Sequence, residues 1–564
     1  MRALLTSLPR SVTRPVSFLL LAAWVAVMAV LINRAYLQAS TSLATDLARY
    51  GSAAVWRGVY YRGEKIGFTV SQTVVEDSGF VLEEDGRLQM AMLGATTSAT
   101  IRTTAHVDKT FTLHAFEFSL DPGTGSIEVR GRIDGRRLTL DVKTASGTRS
   151  EVRDLEEPPA LSLNISRRLA NGGLVAGAKH QWTVFDPATL RNSKVNIEVG
   201  RRELVKGAGA APIPAFRVET EFSGLKTSSW ITDTGEVVRE ESPLGLITVR
   251  ESAERARASA VSRGMQVDML EAAAVTPRLR TPIAEPRDVR LMRIRLGGVD
   301  LSPLELDGGA QRLSGDVLEL RDPQSLKPGA ADPDVQPALA SETFIESDAP
   351  EIVAEAAKAV NGVAGARARA ERLTRYVNAL LDKKPTVSLP SAQEVLRTKV
   401  GDCNEHTVLY VAMARAVGIP ARIAVGLVYI HGAFYYHAWP EVYLEETRGQ
   451  GSGLRAEGSG LAAEGSGVRA QGSGLEAKSL GLWLPVDPTL NQFPADATHL
   501  RVARGGLDKQ AVVLPLMGRL TMDVLDVELA PNATTILVGK QPVDLGALAI
   551  PIPRRESSCC ACRK

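Results

Sequence analysis

The sequence predicts an α+β protein with an apolar N-terminal helix, an antiparallel, half-barrel-like β domain, and a domain in which a buried helix packs on an antiparallel sheet. Three observations lead to this fold class. An uncharged stretch covers residues 15–32, and from about Val55 to Arg250 apolar and polar residues alternate at period two. After Cys403, a run that is apolar on nearly every side predicts a helix buried in a core.

The apolar stretch at residues 15–32 is just long enough to span a bilayer. It is preceded by three arginines, Arg2, Arg10 and Arg14. This charge bias predicts a cytoplasmic segment at residues 1–14, a single-pass signal anchor in the cell membrane, and a body facing the periplasm or exterior. A cleaved signal peptide is the alternative, but the nearest suitable triplet, Ser42-Leu43-Ala44, lies far beyond the apolar stretch. Either interpretation predicts an exported body.

Length and charge limit the remaining possibilities. A chain of 564 residues is several domains long, and a net charge of +2 with well-mixed signs gives no electrostatic reason to expect a nucleic-acid partner. We expect the following divisions: a β-rich exported domain at 45–260, connecting strands and a linker at 261–345, a helix-and-sheet domain at 346–510, C-terminal strands at 511–548 and a tail at 549–564.

The β-rich domain is punctuated by turn signals such as Asp134-Gly135, and residues 162–170 are expected to form its helix. One buried and one exposed face favour a curved antiparallel sheet. No acid–base cluster marks a second active site here. Support of the other domain is the simplest role, and binding of a peptide, glycan or lipid on the concave face stays open.

Cys403 is the candidate nucleophile. Asp402 followed by Glu405 is typical of a capping box, with Cys403 as the first helical residue. The positive end of the helix dipole favours a thiolate there. The alternative is an inert core cysteine, because buried thiols behave as small hydrophobes.

His437 and Asp487 are the candidate base and orienting group. A strand pattern places His437, Trp439, Glu441 and Tyr443 on one face, and Pro440 should put this strand at a sheet edge or a bulge. Asp487 lies in a second short strand, although an Asp before a proline is also a common turn residue. Two other histidines compete with His437: His406, which we expect to fix the helix end, and His431, which we expect in a loop.

Three ordered motifs, GDCNEHTVLYVAMARAVGIPAR, HAWPEVYL and WLPVDPT, resemble the transglutaminase-like (papain-like cysteine peptidase) superfamily, in its bacterial exported or membrane-anchored form. The resemblance covers roughly residues 350–510. It implies a papain-like fold and a catalytic triad of Cys403, His437 and Asp487. It further implies thiol-dependent acyl transfer on a peptide or protein substrate, by hydrolysis or cross-linking. Oligomeric state and substrate identity are not implied.

A repeat of seven residues beginning Gly-Ser-Gly separates the His437 and Asp487 motifs, at residues 449–478. Each repeat has one aliphatic residue and a helix-breaking Gly-Ser-Gly, so a coiled coil is excluded. Such a sequence cannot bury enough apolar surface to offset its ordering entropy. We therefore expect a mobile, dispensable insertion.

No cofactor or metal is expected. Cys403, His406, His431 and His437 lack the paired spacing of a zinc site, and the tail cysteines, Cys559, Cys560 and Cys562, are too close together to form one alone. Two rivals to the enzyme remain: a non-catalytic envelope binding or scaffolding protein that keeps the fold, and a redox protein using the tail thiols.

Overall fold

The computed structural model describes residues 54–531, apart from residues 93–94, 124, 145–146, 208–210, 223–224, 259–267, 330–331, 386–390 and 447–479. Four predicted segments lie outside the described residues: the cytoplasmic segment 1–14, the membrane helix 15–32, the repeat insertion 449–478 and the tail 549–564. Within the part that is described, no helix is long and apolar enough to cross a bilayer.

The β-rich domain is one fourteen-stranded antiparallel sheet. Its strands are β1 (Val55–Tyr61), β2 (Glu64–Glu76), β3 (Gly79–Met92), β4 (Ala95–Asp108), β5 (Leu113–Asp121), β6 (Ile127–Asp134), β7 (Arg137–Thr144), β8 (Gly147–Asp154), β9 (Lys179–Asp186), β10 (Arg191–Val205), β11 (Ile213–Phe222), β12 (Leu225–Ile231), β13 (Val237–Glu241) and β14 (Leu246–Glu251). Two meanders, β1 to β8 and β9 to β14, join where β1 pairs with β14. The predicted antiparallel domain is confirmed.

Alternation along each strand explains how this sheet packs. In β7, Leu138, Leu140 and Val142 are buried while Arg137 and Asp141 are exposed. Helix α1 (Ser162–Ala170) lies where it is predicted and contributes Leu169 to the core. Two short helices follow the sheet, α2 (Ala253–Arg257) and α3 (Met269–Ala273).

A second sheet joins segments that the sequence analysis treats separately. Its order is β16 (Gln311–Ser314), β17 (Val317–Arg321), β15 (Val289–Gly297) and β24 (Thr521–Leu529). The predicted strands near residues 291–296, 317–320 and 520–528 are confirmed, and β24 pairs antiparallel with β15. Short 3-10 turns occupy Pro286–Asp288, Pro323–Ser325, Pro333–Val335 and Pro337–Leu339.

The strand predicted at residues 511–514 is wrong. This segment lies in a 3-10 helix, Leu507–Leu516. Val513 and Leu516 are both buried, and three-residue spacing suits the three residues per turn of a 3-10 helix. A short apolar run cannot be assigned to strand or helix by its periodicity alone, which explains the error.

The domain containing Cys403 consists of four helices and a four-stranded antiparallel sheet. The helices are α4 (Pro350–Ala359), α5 (Ala366–Leu380), α6 (Ala392–Thr398) and α7 (Cys403–Ala416). The sheet order is β22 (Leu480–Pro485), β21 (Ala433–Glu446), β20 (Ala421–Ile430) and β23 (His499–Gly505). A two-stranded parallel pair, β18 (Asp382–Lys383) with β19 (Val400–Gly401), precedes α7. Helix α7, this sheet and the second sheet share one hydrophobic core.

Pro440 corrects one expectation about β21. The strand is not at an edge, because β21 pairs with β20 on one side and β22 on the other. The ladder to β22 ends at Glu441 opposite Pro485, and the Pro440 carbonyl accepts from the Val486 N–H at 2.9 Å. In an antiparallel strand a residue's nitrogen and carbonyl face the same neighbour. The Pro440 nitrogen, which carries no hydrogen, therefore faces the β22 side of the sheet just beyond the last residue of β22.

Candidate active site

Cys403 begins α7, and the capping box predicted around it is present. The Asp402 carboxylate accepts from the Asn404 N–H at 2.9 Å, and the Glu405 carboxylate accepts from the Asp402 N–H at 2.8 Å. Gly401 makes this possible, since a β-carbon there would lie 2.2 Å from the Glu405 β-carbon. The local sequence thus fixes the position of the thiol at the helix N-terminus.

The surroundings of the thiol oppose the ionisation expected from the helix dipole. Cys403 is only partly exposed, and burial raises the pKa of its thiol well above the usual value. The Asp402 carboxylate raises this pKa further, while the backbone N–H of Ala438 donates toward the sulfur and lowers it. The resting thiol is therefore neutral, and ionising it requires a base.

His437 lies on β21 one residue before Ala438, the residue that contacts the thiol. Its ring is buried, and its Nε2 lies 2.8 Å from Asp487 Oδ2. Its Nδ1 makes no hydrogen bond within the described part of the chain, and neither ring nitrogen is bonded to Cys403. The structure thus joins His437 to Asp487 directly, and it places Cys403 beside the same stretch of β21.

Asp487 is fully buried and accepts four hydrogen bonds. Oδ1 accepts from the backbone N–H groups of Thr489 and Leu490 at 2.7 and 2.9 Å. Oδ2 lies 2.8 Å from His437 Nε2 and 3.1 Å from His499 Nε2. Burial alone would raise the pKa of Asp487, but the two histidines and these bonds hold it well below its ordinary value. Asp487 is therefore ionised, and it does more than shape a turn.

His499 is the site residue that the sequence analysis misses. It begins β23, and its second ring nitrogen, Nδ1, lies 3.1 Å from Asp496 Oδ1. Both ring nitrogens thus face acceptors, which requires a proton on each. Although burial acts in the other direction, Asp496 and Asp487 raise the pKa of His499 to about 10. The sequence feature that could have identified His499 is Asp496, which lies three residues before this histidine at the start of a buried strand.

The two competing histidines are placed as the sequence analysis expects. His406 is buried on α7, and its Nδ1 lies 2.7 Å from the Asp402 carbonyl, which ties it to the helix start. Burial lowers the pKa of His406, so the ring stays neutral. His431 lies in the turn between β20 and β21 with a φ of 49°. Neither ring is hydrogen-bonded to Asp487.

Two aromatic contacts hold the imidazoles in place. The Trp439 ring meets His499 edge-on at 5.1 Å between centroids and lies nearly parallel to the His437 ring at 6.0 Å. Along β21, His437 and Trp439 share one face, while Ala438 and Val442 face the core that contains α7. Trp439 thus packs against both histidines and separates them from the other side chains on the same face of β21.

His437, Asp487 and His499 could also supply metal ligands, since their ligand atoms all lie within 4.8 Å of one another. In the described arrangement both imidazoles already donate to the same carboxylate oxygen. A metal would have to displace both protons, including that of a histidine whose pKa is about 10. The donor set fits a hydrogen-bonded network better than a metal centre.

Comparison with known proteins supports the family resemblance for one part of the chain. Residues 353–455 match the model of the transglutaminase-like superfamily, so the segment that contains Cys403 and His437 is a transglutaminase-like domain. The comparison with curated proteins gave no match.

Solved structures give distant likenesses. A "putative cysteine protease" from Cytophaga hutchinsonii is 14% identical, covering 43% of this chain and 89% of its own, with a TM-score of 0.25. A β-barrel-like protein of the DUF1849 domain family from Brucella abortus is 13% identical, covering 35% of this chain and 96% of its own, with a TM-score of 0.28. At these TM-scores the likenesses carry no weight for activity.

Proposed function

We propose that the protein is a thiol-dependent acyltransferase or hydrolase acting on peptide or carboxamide bonds. The observation that carries the proposal is the His437–Asp487 hydrogen bond, which uses Nε2 and leaves Nδ1 available to take a proton. Asp487 stays ionised and therefore orients the ring and stabilises the imidazolium. The match of residues 353–455 to the transglutaminase-like model supports the same assignment.

The reaction begins when a substrate amide approaches the N-terminus of α7. His437 Nδ1 takes the thiol proton while the sulfur attacks the carbonyl carbon, and the backbone N–H of Cys403 donates to the oxyanion. Collapse forms a thioester and breaks the C–N bond, and the proton passes from His437 to the leaving amine. Water or a second amine then attacks the thioester with His437 as base, the C–S bond breaks, and the Cys403 sulfur regains a proton from His437. Water gives hydrolysis, and an amine gives cross-linking.

The raised pKa of Cys403 fits this order of events. A neutral resting thiol is a weak nucleophile until a base acts, so proton transfer to His437 accompanies attack.

We further propose that the body works outside the cytoplasmic membrane on peptides or proteins, attached through the apolar segment at residues 15–32.

A binding or scaffolding role is the second candidate. It is favoured by one observation, namely that the thiol and the His437 ring share no hydrogen bond. In such a protein the buried histidines and Asp487 would only stabilise the sheet.

Alkylation of the full chain by iodoacetamide separates the two. Labelling would be measured between pH 6 and 9 by mass spectrometry, with the tail thiols Cys559, Cys560 and Cys562 as internal controls. A base that assists Cys403 predicts labelling near pH 6.5 that falls in His437→Ala to or below the tail level. If Cys403 is labelled more slowly than the tail thiols at every pH, and His437→Ala does not change its labelling, the proposed enzymatic function is contradicted.

In parallel, transfer to a fluorescent amine and hydrolysis of a mixed peptide pool would be measured, with Cys403→Ala as the blank.

A further inference from the structure

A second cavity lies on the face of the four-stranded sheet opposite α7. It measures about 320 Å³, and we call it the Arg501 cavity after its most buried cation. The argument uses five of its wall residues: Arg422, Trp439, Tyr443, Trp483 and Arg501. Neither Cys403 nor His437 lines it, but His499 does, so the cavity adjoins the His437–Asp487 network without containing the nucleophile or the base.

Three buried donors of this cavity find no acceptor in the described part of the chain: Trp439 Nε1, Tyr443 Oη and Arg501 Nε. The three residues are only 1%, 4% and 4% exposed. An unpaired buried donor costs about 1–3 kcal/mol, so a cluster of them indicates a missing acceptor. Arg422 Nη2 adds to the cluster, because it lies 2.9 Å from Glu441 Oε2 without forming a hydrogen bond.

The acids of the cavity wall do not supply that acceptor. Glu441 uses Oε2 for Arg422 Nε at 2.9 Å and Oε1 for Arg501 Nη1 at 3.2 Å. Asp332 accepts from the indole N–H of Trp483 at 2.8 Å and from the backbone N–H of Asp334 at 2.9 Å. Both carboxylates are thus already engaged while the three donors are not.

Charge favours an anion in the same place. Among the described residues, five cations line the cavity, Lys327, Arg422, His499, Arg501 and Arg504, against two acids, Asp332 and Glu441. Two further acids pair with these cations at the more exposed rim, Asp334 with Arg422 at 3.6 Å and Glu305 with Arg504 at 3.0 Å. Burial lowers the pKa of Arg501, and Arg504 acts in the same direction. An anion beside Arg501 would relieve that repulsion.

Part of the wall is apolar. Leu326, Leu482 and Pro485 line the cavity, and the Arg422 guanidinium carbon lies over the Trp483 ring, 3.8 Å from its centroid. The volume is at the lower end of the range for small-molecule sites.

From these donors, charges and walls we propose that the Arg501 cavity binds a small organic carboxylate. The carboxylate accepts from Trp439, Tyr443 and Arg501, and an apolar body lies against Trp483 and Leu482. Arg501 offers its Nε–H as a charge-assisted donor, because Nη1 already bonds to Glu441 and Nη2 to backbone carbonyls.

Binding to the purified full chain tests this inference without reference to catalysis. The probe is benzoate, measured by calorimetry and by the concentration dependence of the melting temperature. Benzamide, which has the same shape and no charge, is the matched neutral ligand, and inorganic phosphate is the alternative anion. We expect benzoate to bind with a Kd on the order of 1 mM or tighter and to raise the melting temperature. Benzamide and phosphate should do neither.

Conservative variants locate the binding. Trp439→Phe replaces the indole with a smaller aromatic ring that has no N–H, and Arg501→Lys keeps the charge and removes Nε. Each should weaken benzoate binding about three- to tenfold. Trp182→Phe, on β9 of the other sheet, is the control and should leave the Kd unchanged. Should Arg501→Lys fail to fold, since Arg501 also holds three backbone carbonyls of residues 305–308, Trp439→Phe alone decides.

Three results would overturn the inference. They are the absence of benzoate binding, equal binding of benzamide, and a benzoate Kd that Trp439→Phe leaves unchanged. Binding of phosphate in place of benzoate would overturn the organic carboxylate and assign the cavity to inorganic or phosphorylated anions.

Discussion

The fourteen-stranded and four-stranded sheets of this protein bring their charged side chains together in different ways. In the fourteen-stranded sheet, neighbours in space are neighbours in sequence except where β1 meets β14, and ion pairs such as Arg102–Asp85 join adjacent strands at partly exposed positions. In the four-stranded sheet, the order β22-β21-β20-β23 brings His437, Asp487 and His499 together from separate segments and buries all three.

This difference indicates that charged pairs in the fourteen-stranded sheet have a structural role, whereas the charged groups around Asp487 have a chemical one. Exposed pairs between adjacent strands require no special arrangement and contribute about 0–1 kcal/mol each. Burying an ionised carboxylate is costly unless it is fully paired, so Asp487 with four donors is a built arrangement. Buried, strongly perturbed groups that converge from separate segments mark a functional site.

Removing the nucleophile or the base should have the largest effect on that site. We expect Cys403→Ala and His437→Ala each to lower turnover by more than about 10³-fold, because neither sulfur nor base acts without the other. The double variant should be no worse than either single one. The measurement is turnover of peptides and transfer to a fluorescent amine, with circular dichroism as the control for folding. Undiminished turnover in Cys403→Ala would eliminate the thiol mechanism.

Loss of the Asp487 charge should come next. Asp487→Asn keeps the size of the side chain, but its NH2 group must face either both histidines or both backbone N–H donors. We expect kcat to fall by about 10²- to 10⁴-fold. Stability should fall by about 3 kcal/mol, since the buried imidazolium of His499 loses a charged partner. Denaturant unfolding and kcat are measured on the same preparation. A loss of stability with kcat unaltered would mean that Asp487 is structural.

Local patterns explain why much of this site could be predicted from sequence. The capping box at Asp402 and Glu405 depends on spacing within one helical turn, and it forms as predicted. Period-two alternation put His437 and Trp439 on one face of β21, and they lie together there. Helix α1 is likewise a local pattern, and its bounds match the prediction.

What sequence reasoning missed depends on contacts between distant segments. His499 reaches Asp487 only because β23 pairs with β20 rather than with its sequence neighbour β22. The pairing of β15 with β24 joins segments more than two hundred residues apart for the same reason. The thiol pKa was misjudged because helix position was known and burial was not. Sequence periodicity carries no information on such pairings.

His499 should show a smaller effect that depends on pH. Its pKa is raised from 6.5 to about 10 in the folded protein, so its stabilising effect is complete below about pH 6.5 and lost as pH rises through about 10. The stability difference between the wild type and His499→Gln should therefore be largest near pH 6 and shrink toward pH 10. Thermal unfolding across this range measures it. A difference that is constant with pH would show that His499 is not charged when folded.

The same variant should alter catalysis in a way that packing would not. Removing the His499 charge leaves Asp487 more negative toward the His437 ring, which makes the base hold a proton more firmly, so the acid limb of the pH–rate profile should move to higher pH. The fall in kcat should be about tenfold, below that of Asp487→Asn, because the carboxylate itself remains. An unmoved profile would assign His499 a purely structural role.

The smallest effect is expected in the other sheet. Arg102 pairs with Asp85 at 2.9 Å between β4 and β3, and its side chain is 46% exposed. Because solvent screens such a pair, Arg102→Ala should change stability by less than about 0.5 kcal/mol and leave kcat unchanged. Denaturant unfolding in low and high salt measures the change, and the small loss should vanish in high salt. A loss comparable to that of Asp487→Asn would show that paired charges in the fourteen-stranded sheet are as tightly constrained as those beside Cys403. The contrast between the two sheets would then no longer identify the active site, and the assignment would depend on the kinetic variants alone.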